Sequence, residues 1–207
     1  FMNVDIIVIG GGHAGCEAAY ASARMGKNVL LITHDEKTIG RMSCNPAIGG
    51  LGKSHLVREI DAMGGLMGYC ADKAGIHLKV LNASKGPAVR ATRSQSDRML
   101  YSSSVKGVIN SERLLNTLSA EVVDIETSKN SAIGVKLENK EIIKAKKVIL
   151  TAGTFLNGKL FTGEEEEDGG RKKSKSSKIL ANSLRSLKLG DARLKTGTPP
   201  RLSLIHI

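Results

Sequence analysis

The sequence is poor in aromatic side chains, which make up 3% of its 207 residues. A basic stripe interleaved with aromatics, the arrangement that stacks single-stranded bases, is therefore missing, and any RNA held here is held largely through shape and phosphates. No apolar run approaches the roughly 20 residues needed to cross a bilayer. Residues 1–10 have neither the basic start nor the small-residue cleavage site of a signal peptide, so a cytoplasmic protein is expected, with no membrane association. Cysteines are few: Cys16, Cys44 and Cys70. Their spacing fits no metal-ligand set and no disulfide framework, which agrees with a reducing compartment and leaves no metal site to expect.

What is present is a globular composition, with 41% hydrophobic residues and 23 glycines in a length that suits one core or a domain and a half. The formal charge is +11, and it is unevenly spread. Residues 171–201 hold ten basic residues against the single acid Asp191, whereas residues 164–168 are Glu-Glu-Glu-Glu-Asp. A positive surface attracts polyanions, but a lysine-rich face is as often simply solvated, so charge alone does not decide for RNA.

The most informative stretch is Gly10-Gly11-Gly12-His13-Ala14-Gly15. It follows the apolar run Val4–Ile9 and opens a helix-like segment from Cys16 to Met25, with a second strand over residues 28–33. In a βαβ unit this turn places phosphates on the positive end of the helix. The first glycine makes the turn, Gly12 lets a pyrophosphate approach the backbone, and Gly15 lets helix and strand pack closely. The acid that bonds the ribose is expected about 20 residues on, where the chain offers Asp35 or Glu36, both slightly late.

Further along, residues 40–52 form a Gly- and Asn-rich loop, and a helix is expected over 53–63 with Leu56, Val57 and Ile60 on one face. Residues 71–93 are expected to be mostly irregular. A helix over 94–109 would be capped by Ser94 with Asp97 three residues later. From Glu121 the period becomes alternating, predicting strands at 122–125, 133–137 and 142–145, then a buried parallel strand at 147–151. The fold class expected is α/β: a Rossmann-like FAD-binding domain of the glutathione-reductase type with a three-stranded β-meander, truncated. Residues 1–163 would be its N-terminal part, 164–178 a charged surface loop, and 179–201 the start of the next segment with a short helix at 179–189. Residues 202–207, Leu-Ser-Leu-Ile-His-Ile, read as the translation of a sequencing-library adapter and are expected to be a scar.

Ala47–Ser54 imitates a phosphate-binding P-loop, but Ser43-Cys44-Asn45-Pro46 before it cannot be the buried strand that a P-loop requires. The better use is a glycine-lined backbone lying against a flat ligand, with a helix N-terminus near Lys53 aimed at negative charge. Cys44 lies in this loop beside Arg41, a setting that can lower a thiol pKa and expose a nucleophile. Cys16, inside the first helix, reads as a small buried hydrophobe. His13 is expected to be structural or to touch the cofactor. Lys85, Arg90, Arg93 and Arg98 either bind phosphate or RNA or form a solvated basic loop.

Four blocks of this chain together resemble the N-terminal part of the tRNA uridine 5-carboxymethylaminomethyl modification enzymes, the MnmG (GidA) family: residues 9–15, 42–50, 81–93 and 193–201. The resemblance implies an enzyme dependent on FAD and NADH that works with the GTPase MnmE. The pair adds a carboxymethylaminomethyl or aminomethyl group to C5 of the tRNA wobble uridine, with methylenetetrahydrofolate as one-carbon donor, as a homodimer within a heterotetramer. It further implies that Gly10, Gly11, Gly12, His13, Ala14 and Gly15 hold the FAD pyrophosphate, that Val122 contacts it by backbone near the adenine, that Ser177 is another contact, and that Cys44 is an essential cysteine. The NADH site, a second essential cysteine and the rest of the FAD site would lie after Arg201. Two other readings fit the same residues: another FAD-dependent oxidoreductase or folate-dependent tRNA uridine methyltransferase of this fold, and a non-enzymatic basic RNA-binding module.

Overall fold

The computed structural model of the chain describes residues 4–42, 45–170, 177–188 and 192. β1 (Ile6–Ile9), α1 (His13–Arg24) and β2 (Val29–Thr33) form the expected βαβ start, with β2 parallel to β1. The two strands are apolar up to Thr33, the last residue of β2, because both faces of their sheet are covered. Val8, Val29 and Leu31 pack with Cys16, Ala19 and Ala23 of α1, while Ile7, Ile9, Leu30 and Ile32 pack on the opposite side. Just ahead of β1, Asp5 takes an N–H from Asn28 at 3.0 Å and pairs with Lys146 at 2.7 Å. The Lys146 ammonium holds this carboxyl below its ordinary range.

The segment between β2 and the next parallel strand departs from expectation. It contains β3 (Ala47–Gly49), α2 (Ser54–Ala62), α3 (Met67–Ala74), β4 (Gly75–Leu81), β5 (Ala91–Ser96) and α4 (Arg98–Ser111). Residues 71–93 are thus largely regular, and the loop over 40–52 includes a strand. β3, β5 and β4 make an antiparallel side sheet in that order. The signal for β4 was present, since Ile76, Leu78 and Val80 alternate with His77 and Lys79. Its apolar side is uncovered among the described residues, with Ile76 73% and Leu78 68% exposed. β5 has one buried apolar residue, Ala91, and so carried no hydrophobic period. α4 begins after Asp97, whose carboxylate accepts the Leu100 N–H at 2.7 Å. Ser94 is not the cap, because it lies in β5 paired with Leu78 and Ile48. In α2, Val57 is partly buried but Leu56 is 50% exposed.

β6 (Leu115–Ser119) then joins β2, giving a parallel sheet in the order β10-β1-β2-β6, where β10 is Lys147–Leu150. Sequence reasoning missed β6, whose short run Leu-Asn-Thr-Leu-Ser is half polar. β7 (Val122–Ser128), β8 (Ser131–Leu137) and β9 (Ile142–Lys144) form the expected meander. With α5 (Lys178–Ser186) they cover the second face of the sheet, burying Val122, Val135, Leu137, Ile143 and Leu180 with Ile7 and Leu30. The charged segment 164–178 is not wholly a loop: β11 (Lys159–Thr162) and β12 (Glu165–Asp168) pair as a hairpin. Lys159 pairs with Glu166, which offsets part of the charge density that argued for a loop. Among the described residues no helix is long and apolar enough to cross a membrane.

Candidate functional site

β1 ends at Ile9, and the chain turns through Gly10 at φ +108°, where its N–H bonds the Ile32 carbonyl at 2.8 Å. A Cβ on Gly10 would lie 2.5 Å from the Thr151 carbonyl oxygen, and one on Gly15 would run into the Gly10 carbonyl. Thr151 locks the turn from the other side, its hydroxyl donating to the carbonyls of Ile9 (2.8 Å) and Gly10 (3.1 Å). Gly10 and Gly15 are therefore required by the protein's own packing. Gly12 is different. It is the N-cap of α1 with no side-chain cap, it sits at φ −75°, and a Cβ there would meet no described residue within 4 Å. Its bareness serves no contact among the described residues. It leaves the first amides of a 12-residue helix open to a ligand, and those amides, lacking intrahelical acceptors, carry the positive end of the helix dipole. A pyrophosphate fits this cradle.

Ala14 is exposed beside Gly12, whereas His13 is half-buried with its ring edge-on to Tyr101 of α4, centroids 5.5 Å apart. His13 is thus packed into the turn and its brace. Gly11 has Thr33 and Ile39 against it, and its carbonyl accepts the Gly40 N–H at 3.0 Å. α4 holds that same return loop: the Ser102 hydroxyl donates to Ile39 O at 2.7 Å, and the Lys106 ammonium to Lys37 O at 2.6 Å.

The end of β2 gathers residues far apart in sequence. The Ala120 N–H bonds Thr33 O at 2.9 Å, which brings the start of β7 and buried Val122 beside the strand end. Ser177 arrives from the segment before α5. It is 4% exposed, its N–H bonds Phe155 O at 2.9 Å, and its hydroxyl lies 3.1 Å from His34 Nε2. Val122 and Ser177, both singled out by resemblance, thus meet the carboxyl edge of the sheet near the glycine turn. Asp35, a candidate for the ribose, accepts the Lys37 N–H at 2.8 Å and caps the 3-10 turn Glu36–Thr38. His34, which sequence reasoning passed over, is the residue that directly follows the strand.

Cys44 and Ser43 lie outside the described residues, between buried Met42 and Pro46, whose carbonyl accepts the Ser96 N–H at 2.9 Å. Past them, β3 lies in an antiparallel side sheet, so Ala47–Ser54 is not a P-loop. Gly50 and Gly52 have positive φ and open space at their Cβ positions just ahead of α2. Lys85 and Arg90 are exposed in the β4–β5 connection, with Arg90 Nε donating to Ala83 O at 3.1 Å, while Arg93 lies half-buried in β5. Among the described residues no cluster could hold a metal ion.

The other two cysteines are buried. Burial pushes the Cys16 thiol from its ordinary 9.0 up to about 12, and raises Cys70 and the Tyr101 phenol as well. The folded state then favours the protonated thiol, so stability is fully present below the unfolded pKa and is lost as pH rises. The denaturation midpoint is expected to be flat up to about pH 9 and to fall between 9 and 12 for Cys16, with a smaller fall in Cys16→Ala. A midpoint unchanged through pH 11 would show that these thiols ionise freely in the fold.

The sequence profile of the family described as Glucose inhibited division protein A matches residues 5–207. A solved structure of GidA from Aquifex aeolicus is 44% identical with a TM-score of 0.84, covering 89% of this chain and 30% of that one. The GidA-related protein from Thermus thermophilus is 19% identical with a TM-score of 0.64, covering 88% of this chain and 68% of the other. pqsL from Pseudomonas aeruginosa, a probable FAD-dependent monooxygenase, is 16% identical with a TM-score of 0.51, covering 70% and 41%. The last two share the fold. This chain spans about 30% of the length of the Aquifex protein.

Proposed function

The chain belongs to the Glucose inhibited division protein A family, and we propose that it is the FAD-binding N-terminal part of a flavoenzyme that modifies tRNA. The observation that carries the cofactor is Gly12, bare at the N-terminus of α1 where no contact among the described residues asks for it. Residues 10–15 would hold the pyrophosphate by backbone N–H groups, with Val122 of β7 and Ser177 ahead of α5 contacting the same cofactor beside the end of β2. FAD, when bound, would supply the redox chemistry. NADH is the proposed source of its reducing equivalents.

In this reading the protein works with the GTPase MnmE, as a homodimer within a heterotetramer in the cytoplasm. The pair attaches a carboxymethylaminomethyl or aminomethyl group to C5 of the wobble uridine, drawing the one-carbon unit from methylenetetrahydrofolate. Cys44 would act as the thiol at that step. The reading is tested by purifying the full-length protein, identifying the flavin released on denaturation, and analysing tRNA nucleosides in cells lacking the protein. Colourless protein, or normal wobble uridines in those cells, would sink it.

Lys85, Arg90 and Arg93 are proposed to bind tRNA phosphates. Their joint replacement by alanine is expected to weaken tRNA binding, and removing one cation from a phosphate should flatten the slope of log affinity against log salt by about 0.7–0.9. Filter binding at several salt concentrations checks this. An unchanged affinity and slope would make the three a solvated face.

A further inference from the structure

A dinucleotide-binding βαβ unit ordinarily places a carboxylate at the end of its second strand to hold the ribose. Here the nearer acid has another role: the Asp35 carboxylate caps the 3-10 turn through the Lys37 N–H at 2.8 Å. Glu36 stands one residue further on, inside that turn, with its backbone N–H bonded to Ser119 Oγ at 3.1 Å. The position directly after β2 belongs to His34, which is exposed yet fixed. Its Nε2 is 3.1 Å from the Ser177 hydroxyl, and its ring is tilted against Phe155 with centroids 6.5 Å apart. Ser177 is itself buried and anchored by its N–H on the Phe155 carbonyl at 2.9 Å, so an exposed imidazole is pinned by a buried hydroxyl that comes from 143 residues away.

One hydrogen bond at an exposed ring adds little to stability. What it gives is direction. We propose that His34, oriented by Ser177, holds the adenosine ribose of the dinucleotide in place of the usual carboxylate. An imidazole nitrogen donates to or accepts from a ribose hydroxyl according to tautomer, and it does so without placing a negative charge beside the pyrophosphate. This assignment rests on the FAD reading above and names the residue that recognises the ribose.

The test compares the binding of FAD and of its 2′-deoxyadenosine analogue by the full-length apoprotein, followed by flavin fluorescence. The wild type is expected to prefer FAD by roughly 5- to 10-fold, the effect of one hydrogen bond. In His34→Ala the preference should disappear while the analogue binds as before. His34→Gln, which keeps a hydrogen-bonding amide, should restore part of it, and Asp35→Asn should leave it whole. A His34 that merely shaped the loop would weaken both ligands equally and leave the preference intact. That result, or a wild type with no preference, overturns the assignment. A wild type that binds neither ligand overturns the FAD reading, and this assignment with it.

Discussion

Gly12→Val in the full-length protein is expected to weaken FAD binding by more than about two orders of magnitude, or roughly 3 kcal/mol, while the protein stays folded. The two halves of this expectation come from different observations. A branched side chain at Gly12 would fill the space above the first amides of α1, where the pyrophosphate must approach the backbone. The fold tolerates it, because no atom of the described residues lies within 4 Å of the new Cβ and the backbone at φ −75° suits any residue. The remaining cost is that of valine for glycine at an N-cap, about 1 kcal/mol or less. Gly15→Ala should behave in the opposite way and yield little folded protein, since its Cβ would enter the Gly10 carbonyl. Flavin content and thermal melting of the two variants check this together. Equal flavin in folded Gly12→Val and wild type would refute it.

Cys44→Ser is expected to abolish wobble-uridine modification while FAD binding and the melting temperature are kept. A serine hydroxyl stays protonated at neutral pH, whereas a cysteine thiol can ionise and attack. The contrast with the other cysteines makes the test specific. Cys16 is held protonated by burial inside α1, its thiol donating to the Gly11 carbonyl at 3.5 Å. Cys70 is buried in α3. Cys16→Ser and Cys70→Ser should therefore cost stability, by about 1–3 kcal/mol for an underpartnered buried hydroxyl, and leave modification intact. Nucleoside analysis of tRNA from cells carrying each variant as their only copy decides the matter. Normal modification with Cys44→Ser would remove the thiol from the mechanism.

The parts of this protein legible from its residues alone are those whose causes are local. β1, α1 and β2 were legible because a strand buried on both faces is apolar throughout, and a turn that admits no Cβ must be glycine at Gly10 and Gly15. The meander was legible through β8 and β9, where buried Val135, Leu137 and Ile143 alternate with more exposed neighbours. The side sheet was not, because β5 is held by pairing to β3 and β4 and carries almost no hydrophobic period of its own. Asp97 prevailed over Ser94 as the cap of α4 for the same reason: Ser94 was already committed to a strand. At the site, packing in three dimensions distinguished Gly12, bare for a ligand, from Gly10 and Gly15, bare for the fold. It also withdrew Asp35 into a local cap and set His34 against Ser177 across 143 residues. A glycine's motive and a histidine's partner lie in what approaches them through space, and the order of residues along a chain does not encode that distance.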